Sequence, residues 1–370
     1  MTTPHPTWHA AHIYYYEPDK TALLLDAIRP LLRRLPSAHV LRHWRQGPHL
    51  RLNVRTDPLT WSRKVRPDIE QHIGAYLRAH PSTAHPDSTA LLAQHRLLAE
   101  LEQERGPLTP WFPDNSIQYV PYDNRLHVLG DQEAADLLTD FYTDSTPLLF
   151  QMLEHARDGH DSTELIALGL MLANTVTALP PITRGFVSYR SHSEGFIVGC
   201  ADPAAVRAEF QTYYQQHREE LTDRVRSVIN TLRGRGTVPF VREWADLMTV
   251  YKQRATPLIA EGKLIQPLVF DEEAASRFPS EFHWLMFGNR AYHEAVFGNP
   301  AFSRYRLLIN YTYLQINRLG LTPPQRFRLC HLAADAVEDV YDDNAIEAVR
   351  RYVAAHPNRE PSTERTGRLD

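Results

Sequence analysis

The chain has 370 residues, 40 basic and 44 acidic side chains, a formal net charge of -4 at pH 7 and 43% hydrophobic residues. That length and composition can supply a core without staples, and the balanced charge gives no global positive field to collect nucleic acid or an anionic membrane. Cys200 and Cys330 are the only cysteines, so a disulfide framework and a paired-cysteine zinc site are both excluded, and a reducing cytoplasm is the expected location. The segment Met1 to Trp8 lacks the apolar run of a secretory signal, and no stretch of about 18 apolar residues occurs. Neither secretion by that route nor a membrane span is expected.

In chain order, Trp8 to Tyr16 is aromatic and β-favouring and closes at Glu17-Pro18, which predicts a strand with a stop. Asp19 then caps a helix marked by Leu24, Ile28, Leu31 and Leu35, and Pro36 ends it. Val40 to Arg45 and His49 to Arg55 flank Gln46-Gly47-Pro48, the signature of two strands meeting in a turn. Along the second strand Leu50, Leu52 and Val54 alternate with His49, Arg51, Asn53 and Arg55, predicting one packed face and one basic face. Helices dominate from about Leu59, with one stripe at Ile69, Ile73 and Leu77 and another at Leu91, His95, Leu98 and Leu101.

Four prolines between Arg105 and Pro121 predict loop or short strand there. Further helices are expected over Asp131 to Phe141, Glu164 to Leu179, Asp202-Pro203 to about Ile229, Tyr305 to Leu319 and Pro323 to Tyr341. No internal repeat or low-complexity linker appears. The fold class is α+β: an N-terminal strand–helix–hairpin layer with a ferredoxin-like start, covered by many helices, as one domain over residues 1–356 with a disordered tail at 357–370.

Several chemistries lack their local geometry. There is no phosphate loop, dinucleotide fingerprint, His-Glu-x-x-His pair or Gly-x-Ser-x-Gly elbow. The glycines of Arg233-Gly-Arg-Gly236 follow a helix and read as its C-terminal turn. No pair of the 19 histidines is spaced with carboxylates as a closed ligand set, so no metal is expected.

Two segments stand out. Arg42-His43-Trp44-Arg45-Gln46-Gly47-Pro48-His49-Leu50-Arg51-Leu52 loads arginines and histidines onto adjacent strands, where an arginine fork can bind carboxylates or amide carbonyls. By composition alone a solvated strand face is the readier reading. Gly185-Phe186-Val187-Ser188-Tyr189-Arg190-Ser191-His192-Ser193-Glu194 packs hydroxyls, a guanidinium, an imidazole and a carboxylate into ten residues. By composition alone this is a polar surface loop.

Residue context gives both a sharper reading. The first segment resembles the Gly-x-His-Leu-Arg-x-Arg-like strand of lantibiotic dehydratase elimination domains and their thiopeptide relatives. The second resembles the Ser-Tyr/Phe-Arg-Ser-His motif of thiopeptide-type biosynthesis proteins. With Trp8 to Tyr16 before them and Asn310-Tyr-Thr-Tyr-Leu-Gln315 after them, the likeness covers most of the chain. Where glutamate-eliminating domains are expected to carry Tyr-x-Pro-Glu and a later Arg-Tyr-Gly-Gly, this chain reads Tyr119-Val-Pro-Tyr-Asp-Asn-Arg-Leu-His127. That departure favours the pyridine-forming branch, the thiopeptide pyridine synthases.

The resemblance implies a formal aza-[4+2] cycloaddition between two dehydroalanines of a thiazole-bearing ribosomal peptide. Loss of water and of the leader peptide would then give a pyridine-bridged macrocycle. It implies no cofactor and one partner, the modified precursor peptide. Proton transfer falls to Ser188, Tyr189, Arg190, Ser191 and His192, with Tyr189 and His192 on opposite sides of an extended segment. Arg42, His49 and Arg51 are expected to hold substrate carbonyls from the hairpin's polar face. Trp284, Phe287 and Tyr292 with Tyr311, Tyr313 and Gln315 form a candidate aromatic wall for thiazoles, although aromatic residues at helical spacing are commonly plain core. Two alternatives remain: a standalone glutamate-elimination subunit of a split dehydratase, and a non-catalytic leader-peptide scaffold.

Overall fold

A computed structural model describes residues 5–35, 37–266, 268–271, 273, 277 and 280–358. Contacts gather into two units, one of residues 1–167 and 311–323, the other of residues 168–310 and 324–370.

The first unit is built on an antiparallel sheet in the order β2 (Ala38–His43), β3 (His49–Thr56), β1 (Thr7–Tyr14), β4 (Ser116–Val120). The hairpin turn is where the sequence places it. Gly47 has φ 110°, and a Cβ there would stand 2.6 Å from the Tyr16 hydroxyl, so only glycine fits. On one face Ile13, Val40, Leu50, Leu52 and Val54 are almost fully buried. The Arg66–Ala79 helix supplies Ile69, Ile73 and Leu77 to the core, and its Gly74 lies against Ile117 of β4. The other sheet face is buried too: His49 is 1% exposed, Asn53 3% and Arg51 7%. Of the residues expected on the basic face only Arg55 is exposed, so a solvated strand face does not describe His49 to Asn53.

Strand pairing corrects a second expectation. Arg42 pairs with Leu50 and His43 with His49, so Arg42 shares the aliphatic face while His43, His49 and Arg51 share the other. Arg42 and Arg51 lie on opposite sides of the sheet.

Helix ends follow the predicted caps. Asp19 accepts from Thr21 N at 2.8 Å, ahead of a wide-wound turn at Leu23–Ile28 that continues as Arg29–Leu32; the predicted stop, Pro36, lies outside the described residues. The helix expected over Asp131 to Phe141 runs on as Gln132–Arg157, through Pro147. Ser145 and Thr146 send their hydroxyls back to the carbonyls of Phe141 and Tyr142, and these bonds sit beside the missing proline donor.

In the second unit Asp202 caps Pro203–Leu232 through Ala205 N at 3.0 Å. That helix ends in the expected turn, with Gly234 at φ 80° and Arg235 N donating to Asn230 O at 2.8 Å. The Val241–Ala260 helix buries Trp244, Met248 and Tyr251 along one stripe. Other helices of the chain include Ser88–Leu101, Thr163–Ala178, Pro300–Leu319, Pro323–Tyr341 and Ala345–Ala355. At the predicted tail Asn358 is anchored, donating to Gly288 O at 2.8 Å and accepting from Arg290 N at 2.9 Å; residues 359–370 lie outside the described set. Among the described residues no single helix is long and apolar enough to cross a membrane.

Candidate active site

The Ser188 to Glu194 motif is helical, within Val187–Val198, and not the extended segment its polarity suggests. No proline interrupts it, and Phe186 O accepts the first amides, Tyr189 N at 2.8 Å and Arg190 N at 3.1 Å. Helical spacing then sorts the side chains. Ser188, Ser191, His192 and Gly195 recur at i, i+3, i+4 and i+7 and line a cavity of about 730 Å³ within the second unit. That volume suits a small-molecule or peptide-segment site.

Opposite this helix face stand His283, Met286 and Phe287 from the Glu281–Gly288 helix, with Tyr292, Phe297 and Phe302 beyond. Ser191 Oγ and His283 Nε2 are 3.0 Å apart. The His283 ring is parallel to Phe287 (6.0 Å between centroids, 6°), and Phe287 stacks on Phe297 at 4.9 Å. Burial lowers the His283 pKa against the opposing pull of Glu194. His192 falls to about 4, through burial first and then the charges of Arg326, His283 and Arg306. Both imidazoles are thus neutral at pH 7, the form that carries one donor and one acceptor nitrogen.

Burying neutral histidines links stability to pH. His192 is lowered to about 4, and His12 and His39 in the first unit to about 3, all mainly by burial. An unfolded histidine binds its proton near pH 6.5. Below about 6.5 the unfolded chain therefore holds more protons, and the stabilisation present above that pH is lost as pH falls toward the folded values. Each group contributes up to about 1.4 kcal/mol per pH unit in that window. The urea midpoint should be level between about pH 8 and 7 and drop between about pH 6.5 and 5; a level midpoint down to about pH 5 would mean that these imidazoles are charged in the folded protein.

The other side of the motif helix faces inward. Tyr189 is fully buried and donates to Met171 O at 2.7 Å, so its hydroxyl does not reach the cavity. Arg190 Nη2 meets Glu338 at 2.8 Å and also binds Asp335, which lies 3.4 Å from His331 Nε2. Glu194 takes a two-pronged grip from Arg207 at 2.6 and 2.7 Å. These bonds hold the helix so that its serine and histidine face stays turned to the cavity.

Of the proposed aromatic wall, Phe287 and Tyr292 line the cavity. Trp284 points away and is 52% exposed. Tyr311, Tyr313 and Gln315 belong to the first unit, where Tyr311 stacks on Phe141 at 4.4 Å and Gln315 accepts from the buried Arg318 at 3.0 Å. The hairpin residues are likewise occupied within the first unit. Arg42 donates to Arg318 O at 3.2 Å and Pro18 O at 3.3 Å, and His49 bonds Gly47 O at 2.8 Å and stacks on His12.

Arg51 faces Glu104, a carboxylate only 2% exposed that His43 meets at 3.2 Å, Arg45 at 3.5 Å and Arg51 at 3.8 Å, with Arg125 as a fourth partner. His43, Glu102 and Glu104 have the spacing of a metal site. Three guanidiniums around Glu104 make that donor set a poor fit for a cation.

His283 and Arg306 were not singled out by sequence. His283 hides in the apolar run Phe282-His-Trp-Leu-Met-Phe287, and Arg306 is one of many helix-surface arginines by pattern. The recoverable signal was the small or polar set at 188, 191, 192 and 195 on a helical period.

Residues 8–337 match the family model described as lantibiotic biosynthesis dehydratase C-term. Among solved structures the chain is similar to the pyridine synthase TbtD from thiomuracin biosynthesis. Identity is 36%, coverage is 90% of this chain and 99% of that one, and the TM-score is 0.74. It shares its fold with TsrL at 22% identity, covering 93% of this chain and 98% of that one with a TM-score of 0.70. No curated protein matches it. A family model that spans nearly the whole two-unit fold, cavity helix included, makes this chain a member of the lantibiotic dehydratase C-terminal family.

Proposed function

We propose that the protein forms the pyridine of a thiopeptide by joining two dehydroalanines of a thiazole-bearing precursor in the second-unit cavity. The observation that carries this reading is the Ser191–His283 pair, with His192 beside it, set in an aromatic-walled cavity. The likeness to a pyridine synthase supports it.

The chemistry needs proton movement and positioning. One dehydroalanine amide moves its N–H proton to its oxygen, giving an imidic acid. Two C–C bonds then close the six-membered ring against the second alkene. Water leaves with the hydroxyl and one ring hydrogen, and the leader leaves as an amide with another, so aromatisation consumes no oxidant. Holding the two alkenes about 3–3.5 Å apart in line supplies much of the rate enhancement. Neutral imidazoles at His192 and His283 can carry the amide proton to the amide oxygen, and later carry the ring protons to the departing hydroxyl and leader nitrogen, with Ser191 relaying to His283. The flat walls at Phe287 and Phe297 suit thiazoles.

The glutamate-eliminating alternative is weaker, because the hairpin guanidinium and imidazole best placed to grip a glutamyl carboxylate, Arg51 and His43, are already turned to Glu104. Incubation with a synthetic bis-dehydroalanine precursor, read by mass spectrometry, tests the proposal. The expected products are a macrocycle and the freed leader amide. Bound but unchanged precursor would establish a scaffold, and released glutamate from a glutamylated peptide would establish an eliminase. Affinity for this nearly uncharged core should also come from remote contacts; calorimetric titration of a leaderless core should show clearly weaker binding, and equal affinity would overturn leader dependence.

A further inference from the structure

The cavity is electrically one-sided. Among the described residues that line it are Arg184, Arg306, His192 and His283, and no carboxylate. Arg184 is exposed, and a solvated guanidinium needs no partner. Arg306 differs. It is half-buried on the Pro300–Leu319 helix, and among the described residues the five donors of its fork find one protein acceptor, Gln266 O at 3.3 Å from Nη1. Burial lowers its pKa, and an arginine stays charged at neutral pH all the same. An apolar aromatic cavity thus holds a cation whose remaining donors have no acceptor among the described residues.

We propose that Arg306 makes this cavity a subsite for a flat heteroaromatic acyl group whose oxygen carries negative charge. The ring would lie against Phe287 and Phe297, and the oxygen would pair with the Arg306 fork. Two sources share that chemistry: a free carboxylate on the ligand, and an amide oxygen that becomes negative as the amide gives up its proton. In the second case Arg306 stabilises the imidate and lowers the cost of tautomerisation, so the amide proton leaves more readily to a neutral imidazole nearby. His192, whose field includes Arg306, is close enough to feel the same charge. The choice between sources rests on the pyridine-forming reading, whereas the subsite itself does not.

The test uses the full chain and a small probe, 2-phenylthiazole-4-carboxylate, beside its primary amide, titrated by calorimetry. A charge-assisted bond to Arg306 should favour the acid over the amide by roughly tenfold to a hundredfold. Arg306→Met should remove that preference, and Arg306→Lys should restore part of it with unchanged melting temperature. Equal binding of acid and amide by the wild type, or a preference that survives Arg306→Met, would overturn the subsite. Precursor peptides ending in an acid or an amide then assign the source: weaker binding of the amide supports a terminal carboxylate, and equal binding with a fall in kcat for Arg306→Met supports the imidate. Because probe binding needs no turnover, a failure of cyclisation leaves this result standing, and a failure of probe selectivity leaves cyclisation untouched.

Discussion

His283→Gln is expected to slow single-turnover cyclisation by about 10²–10⁴-fold, the usual contribution of a positioned general acid–base group. Glutamine keeps the volume and a hydrogen bond to Ser191 Oγ, which lies 3.0 Å from the imidazole in the native protein, but cannot carry a proton at neutral pH. The loss should therefore appear in the chemical step more than in precursor affinity. Ser191→Ala should cost part of the same factor. Tyr189→Phe is the contrasting case: its hydroxyl is spent on Met171 O in the interior, so the rate should stay near wild type. The native pH–rate profile should inflect below about 6.5, because burial lowers His283 and holds His192 near 4. Wild-type rates in His283→Gln, with Tyr189→Phe the slow variant, would reassign proton transfer to the tyrosine.

Arg190→Met should destabilise the fold by about 3–5 kcal/mol, since removing one member of a buried ion-pair cluster strands its partners. Arg190 side-chain exposure is 8%, and that of Asp335 and Glu338 is 10% and 15%. Burial already pushes the Glu338 carboxyl up despite its arginine. Without Arg190 that carboxylate should take up a proton more readily, so the stability deficit should shrink at about pH 5 relative to about pH 8. Urea unfolding at both pH values reads this directly. A loss below about 1 kcal/mol at both would mean that the pair contributes little, as exposed pairs do. The same substitution should loosen the helix that presents Ser191 and His192, so a rate loss in Arg190→Met is positional, since its guanidinium points away from the cavity.

What the sequence made legible follows from how local each signal is. Asp202-Pro203 and the Ile69, Ile73, Leu77 stripe are complete within one or two turns, and each element formed where those residues place it. The turn at Gly47 was equally local. The side of the sheet on which Arg42 lies depends on turn parity: with Trp44 to Pro48 outside the paired residues, His43 meets His49 and Arg42 falls among leucines. One residue more or less would have put it beside Arg51. The Glu104 cluster joins residues about 60 positions apart and has no local trace. In the motif helix the expected period was wrong: the segment is helical and not extended. Dense polar groups imitate a loop, yet Ser188, Ser191, His192 and Gly195 already carried a helical repeat. His283 escaped because its neighbours are apolar, and only the fold brings it within reach of Ser191.

The most direct measurement is a double-mutant cycle on single-turnover cyclisation with wild type, Ser191→Ala, His283→Gln and the double variant. If serine and imidazole move one proton as a unit inside this cavity, the double variant should be about as slow as the slower single variant, because the second change removes nothing further. Rate losses that multiply, or no loss in any of the three, would contradict a joint role and place the chemistry elsewhere in the protein.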